Sequence, residues 1–230
     1  TVGTTPAISI DENLQSTLSG KVVIDPADGV ADDAYALFVR NNEATDGRNY
    51  GLTVRGGSTS ADESFSVRDH ANASVYFKVQ GDGKLLVNHS ASVSQAGVAP
   101  TVQVHGTGSA TSSISAARNS NDTGGPYLIL SKSRGTSVGA VTVVQDGDIL
   151  GQLMFAGADG GDLAPVGASI QAIVDGTPGT NDMPGKLVFS TTSDGAQTAT
   201  ARLTISAGGT ATFEHPIVVQ SGATQGYYIE

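Results

Sequence analysis

Short runs in which apolar and polar residues alternate are the dominant pattern of this 230-residue chain. In one run, Val75, Phe77 and Val79 alternate with Tyr76 and Lys78. This period of two is that of a half-buried β-strand, whose successive side chains point to opposite faces of a sheet. Turn-forming residues bound each run, as expected of strands. We predict strands at residues 21–24, 35–40, 50–55, 65–68, 75–79, 84–87, 101–105, 127–131, 141–145, 149–156, 168–174, 186–191, 201–206 and 217–220.

Glycine-containing turns separate these runs. Asp-Gly pairs occur at 46–47, 82–83, 146–147, 159–160, 175–176 and 194–195. This dipeptide suits turns that require a positive φ. The Gly208-Gly209 pair joins two strand-like runs and predicts a tight hairpin. Residues 11–18 allow one short helical turn, and the rest of the sequence shows no helical stripe with caps.

The chain also contains an internal similarity. Residues 75–87 align without gaps on residues 201–213, so that Phe77 matches Leu203 and Val87 matches Phe213. Upstream, 65–67 resembles 187–189, and 35–40 loosely resembles 127–132. We interpret this as a repeated β-module, with chance similarity between hairpins as the alternative. The predicted organisation is a connecting segment at 1–20, a first module at 21–98, a larger second module at 99–213 and a connecting segment at 214–230.

Composition narrows the classes of function. The chain has 12 Lys and Arg against 22 Asp and Glu, a net charge of −10. This charge argues against binding to nucleic acid or to an anionic membrane surface. No run of about 18 apolar residues is present, so we expect no membrane insertion. The absence of Cys excludes disulfides and thiolate chemistry, and the absence of Trp with 5% aromatic residues predicts a thin, aliphatic core.

Acidic pairs are the first candidates for chemistry. Asp146 and Asp148 flank Gly147, and Asp159 and Asp162 flank two glycines. Such loops can bind Ca²⁺, but neither has the ligand spacing of an EF-hand or a calcium-binding β-roll. We interpret them as turn residues. A glycosidase also needs a carboxylate pair, but sugar clefts usually offer aromatic platforms. Tyr127 and the Tyr227-Tyr228 pair are the available candidates for such platforms.

The remaining polar residues give no catalytic pattern. None of the four histidines, His70, His89, His105 and His215, has metal-ligand spacing to another, and we assign them surface or interface roles. No Gly-x-Ser-x-Gly elbow is present, and Gly81–Lys84 lacks the spacing of a phosphate loop. We predict no catalytic residue, no metal site and no cofactor, and a protein that is not an enzyme.

Several stretches of the sequence together carry a resemblance to a known module. They are 117–128, 132–136, 147–151, 155–160, 170–176, 183–192, 201–205 and Gly209 in the second half, and 65–69 and 77–83 in the first. The order of those in the second half resembles a module common in the tail fibres and related appendages of tailed bacteriophages. The resemblance covers roughly residues 102–213, about half of the chain, and the first half is similar to a shorter relative of the module. One departure is Ala201, where related repeats commonly carry an acidic residue before the Arg.

This resemblance implies a homotrimeric β-fibre that links a virion to its host. Trimerisation also agrees with the composition, because three chains that share one axial core bury apolar area that a thin monomer cannot bury alone. A monomeric β-sandwich remains the alternative. The expected fold class is all-β, with short-stranded, sandwich-like or prism-like modules in an elongated fibre.

The expected function is that of a structural fibre segment of a phage virion, most simply a tail fibre, that supports or mediates attachment to the host cell. Its expected location is a tail or capsid appendage, extracellular after release. Its expected partners are copies of itself, other tail or capsid proteins, and a host-surface glycan or protein. The open alternatives are a head fibre or decoration protein, a polysaccharide-degrading tailspike fragment and a bacterial surface adhesin. Because the chain starts with Thr1, we also expect it to be a piece of something longer.

Overall fold

A computed structural model describes residues 52–216, together with the single residues Val22, Leu37 and Val39. The chain divides into two compact units, 1–54 and 55–230, and the sheets described below belong to the second. Within the described residues there are nine β-strands and no α-helix. A single 3₁₀ turn lies at Ser109–Thr111. The predicted all-β fold class is therefore confirmed.

The first sheet has four strands in the order of the sequence: β1 (Glu63–Arg68), β2 (Val75–Gln80), β3 (Leu85–Val87) and β4 (Val102–Val104). Strands β1, β2 and β3 are antiparallel neighbours, whereas β4 runs parallel to β3. A parallel neighbour requires a crossover, because a tight hairpin always reverses the chain. Residues 88–101 make this crossover. We call residues 89–100 the connector.

The second sheet is an antiparallel meander of five strands: β5 (Ile149–Ala156), β6 (Val166–Val174), β7 (Gly185–Thr191), β8 (Thr200–Ile205) and β9 (Ala211–Phe213). The predicted hairpin at Gly208-Gly209 joins β8 to β9. Gly209 has a φ of +83°, a conformation that disfavours residues with a Cβ. In each of the five Asp-Gly pairs that the structure describes, the glycine also has a positive φ. The turn predictions are therefore confirmed at these positions.

The internal similarity corresponds to equivalent positions in the two sheets. In the first sheet Phe77 pairs with Val87, and β1 supplies Val67 as its neighbour on the other side. In the second sheet Leu203 pairs with Phe213, and β7 supplies Phe189. The aligned residues thus share one register as well as one sequence pattern. The proposed module limits at 21–98 and 99–213 stay a prediction.

Two strand predictions are wrong. Residues 127–131 and 141–145 have the composition of strands, yet neither forms one in the described structure. A strand needs a backbone partner as well as a suitable sequence. Residues 52–55, at the end of the run predicted at 50–55, are also outside any strand. The strands predicted at 21–24 and 35–40 lie outside the described residues except at three single positions. The strand at 217–220 and the helical turn at 11–18 lie wholly outside them.

Candidate interface formed by the open sheet faces

One face of the first sheet is apolar and open. The register places Phe65 beside Val79 and Val67 beside Phe77, so these four side chains point the same way. The rings of Phe65 and Phe77 meet edge to face with centroids 6.1 Å apart. Phe65 is nevertheless 42% exposed and Val102, at the other edge, is 56% exposed. We define the open face of the first sheet as Phe65, Val67, Phe77, Val79, Leu85, Val87, Val102 and Val104.

The opposite face of the same sheet is more polar and is covered by the chain itself. Lys78, Leu86 and Gln103 lie side by side across β2, β3 and β4. Leu86 is 0% and Gln103 3% exposed. We call this the covered face. A buried polar side chain costs free energy unless its hydrogen bonds are made, so the covering segment must supply partners.

The connector supplies those partners. The Gln103 amide nitrogen donates to the Ser92 hydroxyl and to the Pro100 carbonyl, both at 2.8 Å. The Gln103 Oε1 atom accepts the backbone N–H of Val93 at 3.0 Å. Lys78 Nζ donates to the Ser90 carbonyl at 3.0 Å. The covered face is therefore held by a hydrogen-bond network within one chain.

The second sheet has the same division of faces. Leu153, Ile170, Phe189, Leu203 and Phe213 form one continuous row across all five strands. On the opposite side of the sheet, the paired serines of β6 and β7 are buried. We define the open face of the second sheet by the large apolar side chains that share the direction of the row and are not buried: Leu153, Phe155, Ile170, Leu187, Phe189, Leu203, Ile205 and Phe213. Val174, at the end of β6, shares this direction but is buried.

The balance of apolar burial is unusual for a chain that folds alone. Among the described residues, five apolar side chains are buried and twenty-five large apolar side chains are exposed. Single exposed apolar residues are normal on any protein, but contiguous exposed patches mark interaction surfaces. Several of the exposed residues here belong to the two open faces. The arrangement therefore favours contact with a further apolar surface.

The acidic residues singled out by sequence lie in turns and hydrogen bonds. Arg134 donates to both carboxylate oxygens of Asp148, at 2.6 and 2.8 Å. This pairing, aided by the backbone N–H of Gln145, lowers the pKa of Asp148 to about 2. Asp146, two residues away, accepts the backbone N–H of Gly176 at 2.8 Å. The structure therefore uses both carboxylates to fix the loops beside the second sheet.

The second acidic pair is similar. Asp159 accepts the backbone N–H groups of Gly161 and Asp162, and Asp162 accepts that of Ala164. The hydrogen bond from Gly161 is the main cause of the lowered pKa of Asp159. Both side chains line an open cleft of about 680 Å³. Within residues 52–216 no group of three or more His, Cys, Asp or Glu residues is placed to hold a metal ion.

Two histidines that no spacing pattern in the sequence links lie side by side in the structure. The rings of His89 and His105 stack with centroids 4.2 Å apart. His89 Nδ1 donates to the Ala91 carbonyl, and the Gln95 amide lies 2.8 Å from His105 Nε2. Burial, and secondly the neighbouring His89, lower the pKa of His105. The parallel pairing of β3 with β4 brings the two histidines together, and their sequence spacing contains no sign of that crossover.

The other two histidines are apart from this stack. His215 accepts a hydrogen bond from Arg202 at 2.6 Å, and His70 is exposed in the turn after β1. Tyr127 is exposed, and Tyr227-Tyr228 lies outside the described residues. In the part of the chain that the structure describes, no helix is long and apolar enough to cross a membrane.

The fold is similar to that of a solved phage fibre domain. The carboxy-terminal domain of the bacteriophage T5 L-shaped tail fibre matches 67% of this chain and 65% of its own, with a TM-score of 0.51 and 14% sequence identity. The same domain solved with its intramolecular chaperone domain matches 67% of this chain and 46% of its own, with the same score and identity. No protein-family model and no curated protein matches the sequence. Over the matched two thirds, the chain therefore has a fold like that of a phage tail-fibre domain.

Proposed function

We propose that this chain is a structural segment of a bacteriophage tail fibre and that it works as a homotrimer supporting attachment to the host cell. The observation that carries the proposal is the pair of open apolar faces, in a chain whose fold is like that of a tail-fibre domain. Such a segment has a mechanical task, which is to project or support the part of the fibre that meets the host.

Association of copies follows from the open faces. Apolar area removed from water contributes about 25 cal/mol per Å², and a fully buried Val, Leu or Phe side chain contributes about 1.5–3 kcal/mol. The open-face side chains are only partly buried in one chain, so part of this stabilisation is still to be gained. Two copies would cover one face with another. Three copies around an axis are the number that the family resemblance implies.

The remaining parts of the proposal concern partners and chemistry. We assign any contact with a host-surface glycan or protein to the loops between strands, because loops on a rigid scaffold commonly carry the residues that recognise a partner. The chain attaches to other virion proteins and is not an enzyme. Asp159 does not fit the role of a glycosidase acid, because that role needs a raised pKa whereas the hydrogen bonds that Asp159 accepts lower its pKa.

Labelling of intact virions tests this function. Antibodies raised against the purified chain are expected to decorate the tail fibres in electron micrographs and to slow adsorption of the phage to its host. Pre-immune serum is the control. Label on the capsid would indicate that the chain belongs to a head fibre or decoration protein rather than to a tail fibre. An absence of label from intact and from disrupted virions would contradict a virion role altogether.

A further inference from the structure

Residues 127–131 have the sequence of a strand but no backbone partner among the described residues. From 112 to 133 the backbone makes no backbone–backbone hydrogen bond with any described residue. The one backbone donor in this stretch with a described partner is the N–H of Gly124, which reaches the Asp122 carboxylate. Extended backbone that is to be buried must pair its N–H and C=O groups. Among the described residues, this stretch therefore has pairing capacity that is not used.

The side chains of the same segment are exposed on both sides. Tyr127, Leu128 and Ile129 are 77%, 80% and 76% exposed, although consecutive residues of an extended chain point in opposite directions. Residues 126–131 carry no charged side chain. A segment of this kind is suited to burial between other elements, because its desolvation leaves no unpaired charge.

Its position links it to the open face of the second sheet. Leu130 lies against Gly151 of β5, so closely that a Cβ built on Gly151 would be 2.6 Å from the Leu130 Cβ. Strand β5 is at the edge of its sheet and supplies Leu153 and Phe155 to the open face. A copy that covers this face would therefore reach residues 127–131 as well.

We propose that residues 127–131 become a β-strand in the assembled fibre by pairing with the backbone of a neighbouring copy. This inference rests on the proposed homotrimer and adds that the copies exchange main-chain hydrogen bonds as well as apolar contacts. It also explains why a strand-forming sequence lacks a strand in the single chain. Backbone exchange of this type is strand addition between identical chains.

Photocrosslinking tests which chain lies beside the segment. The aromatic photocrosslinker p-benzoylphenylalanine is introduced as Tyr127→p-benzoylphenylalanine. The control is the same substitution at Val138, which is fully exposed in a turn closed by the Ala140 N–H and the Ser137 carbonyl. After irradiation, the variant at 127 is expected to give covalent dimers and the variant at 138 to give none. Adducts confined to one chain, in an assembly with the mass of a trimer, would overturn the inference.

Proline substitutions test the backbone pairing. Leu128→Pro and Ile129→Pro each remove one N–H, and adjacent N–H groups point to opposite sides of a strand. Leu128→Ala and Ile129→Ala are matched controls that remove the side chain and keep the N–H. Val138→Pro is a control for proline itself, because proline is favoured at this position of a turn.

The dissociation constant of the assembly, measured by sedimentation equilibrium, is the readout. At least one proline variant is expected to dissociate ten times more readily than its alanine counterpart. Equal dissociation constants for all four variants, with a trimeric wild type, would overturn the inference and leave the proposed function standing. A monomeric wild type would overturn the proposed homotrimer and the inference together.

Discussion

The two faces of the first sheet differ in a way that separates folding from assembly. On the covered face, Lys78 and Gln103 are buried and joined to the connector by hydrogen bonds. On the open face, Phe65 and Val67 are 42% and 45% exposed. A monomeric protein usually buries its apolar face and exposes its polar one. The first sheet departs from this pattern, and the departure agrees with the proposal that its open apolar face contacts a partner copy.

The second sheet repeats this difference with other residues. Its open row runs from Leu153 to Phe213, and its opposite face buries the pair Ser169 and Ser190. Because the aligned hairpins share one register, the apolar side falls on the equivalent face in both sheets. The division of faces is therefore a property of the repeated pattern rather than of one sheet.

A charge on an open face should weaken assembly more than any other change proposed below. Phe77→Asp and Leu203→Asp each place a carboxylate where neighbouring copies would bury it, and an unpaired buried charge costs several kcal/mol. We expect each substitution to weaken assembly at least a hundredfold, measured by sedimentation equilibrium. Tyr76→Asp is the control, because Tyr76 adjoins Phe77 but points to the other side of the sheet. Unchanged assembly of both open-face variants would show that these faces are not the interface.

A change on the covered face should act on folding instead. Gln103→Leu keeps the size of the side chain but leaves the Val93 N–H without its partner. An unsatisfied buried group costs about 1–3 kcal/mol, so the free energy of unfolding should fall by that amount in denaturant titrations. The assembled mass in native buffer should stay the same. A lower mass with unchanged stability would place the covered face, too, in the interface.

The sequence alone predicts some features of this fold and not others. The alternation in 75–79 and 201–206 and the Asp-Gly turns predict the strands and hairpins, because these depend on neighbours in the chain. The wrong strands at 127–131 and 141–145 show the limit, because pairing depends on groups far away or on another chain. The sequence also does not predict which face is covered, because the connector that covers it is a loop without periodicity.

Lowering the pH should destabilise the covered face, because the stacked pair His89 and His105 lies beside it. The pKa of His105 is lowered in the folded chain, so the unfolded chain binds a proton more readily. Stability is therefore full above the ordinary histidine pKa near 6.5 and falls as the pH drops below it. Denaturant titrations between pH 8 and 5 should show this loss, and His105→Gln should reduce it. His70→Gln, at an exposed position, is the control, and equal pH profiles for the two variants would contradict the assignment.

A substitution in the connector turn should change the free energy of unfolding only slightly. Ala96 has a φ of +48°, and its N–H donates to the Leu163 carbonyl in the loop between β5 and β6. An alanine in the left-handed conformation costs about 1–2 kcal/mol. Glycine removes this cost, but it also raises the conformational entropy of the unfolded chain, which offsets part of the gain in stability. Ala96→Gly should therefore stabilise the chain by about 0.5–1 kcal/mol. Ala99→Gly is the control, because Ala99 lies in the same connector without a positive φ, and it should give no gain in stability. An equal gain for both variants would show that the backbone at Ala96 is not strained.

The mass of the wild-type chain in solution shows whether copies of the chain associate. Sedimentation equilibrium at micromolar concentration is expected to give three times the chain mass of 23.2 kDa. A particle of 23.2 kDa that unfolds in one cooperative transition would contradict the account, because its open faces would then be stable in water without a partner.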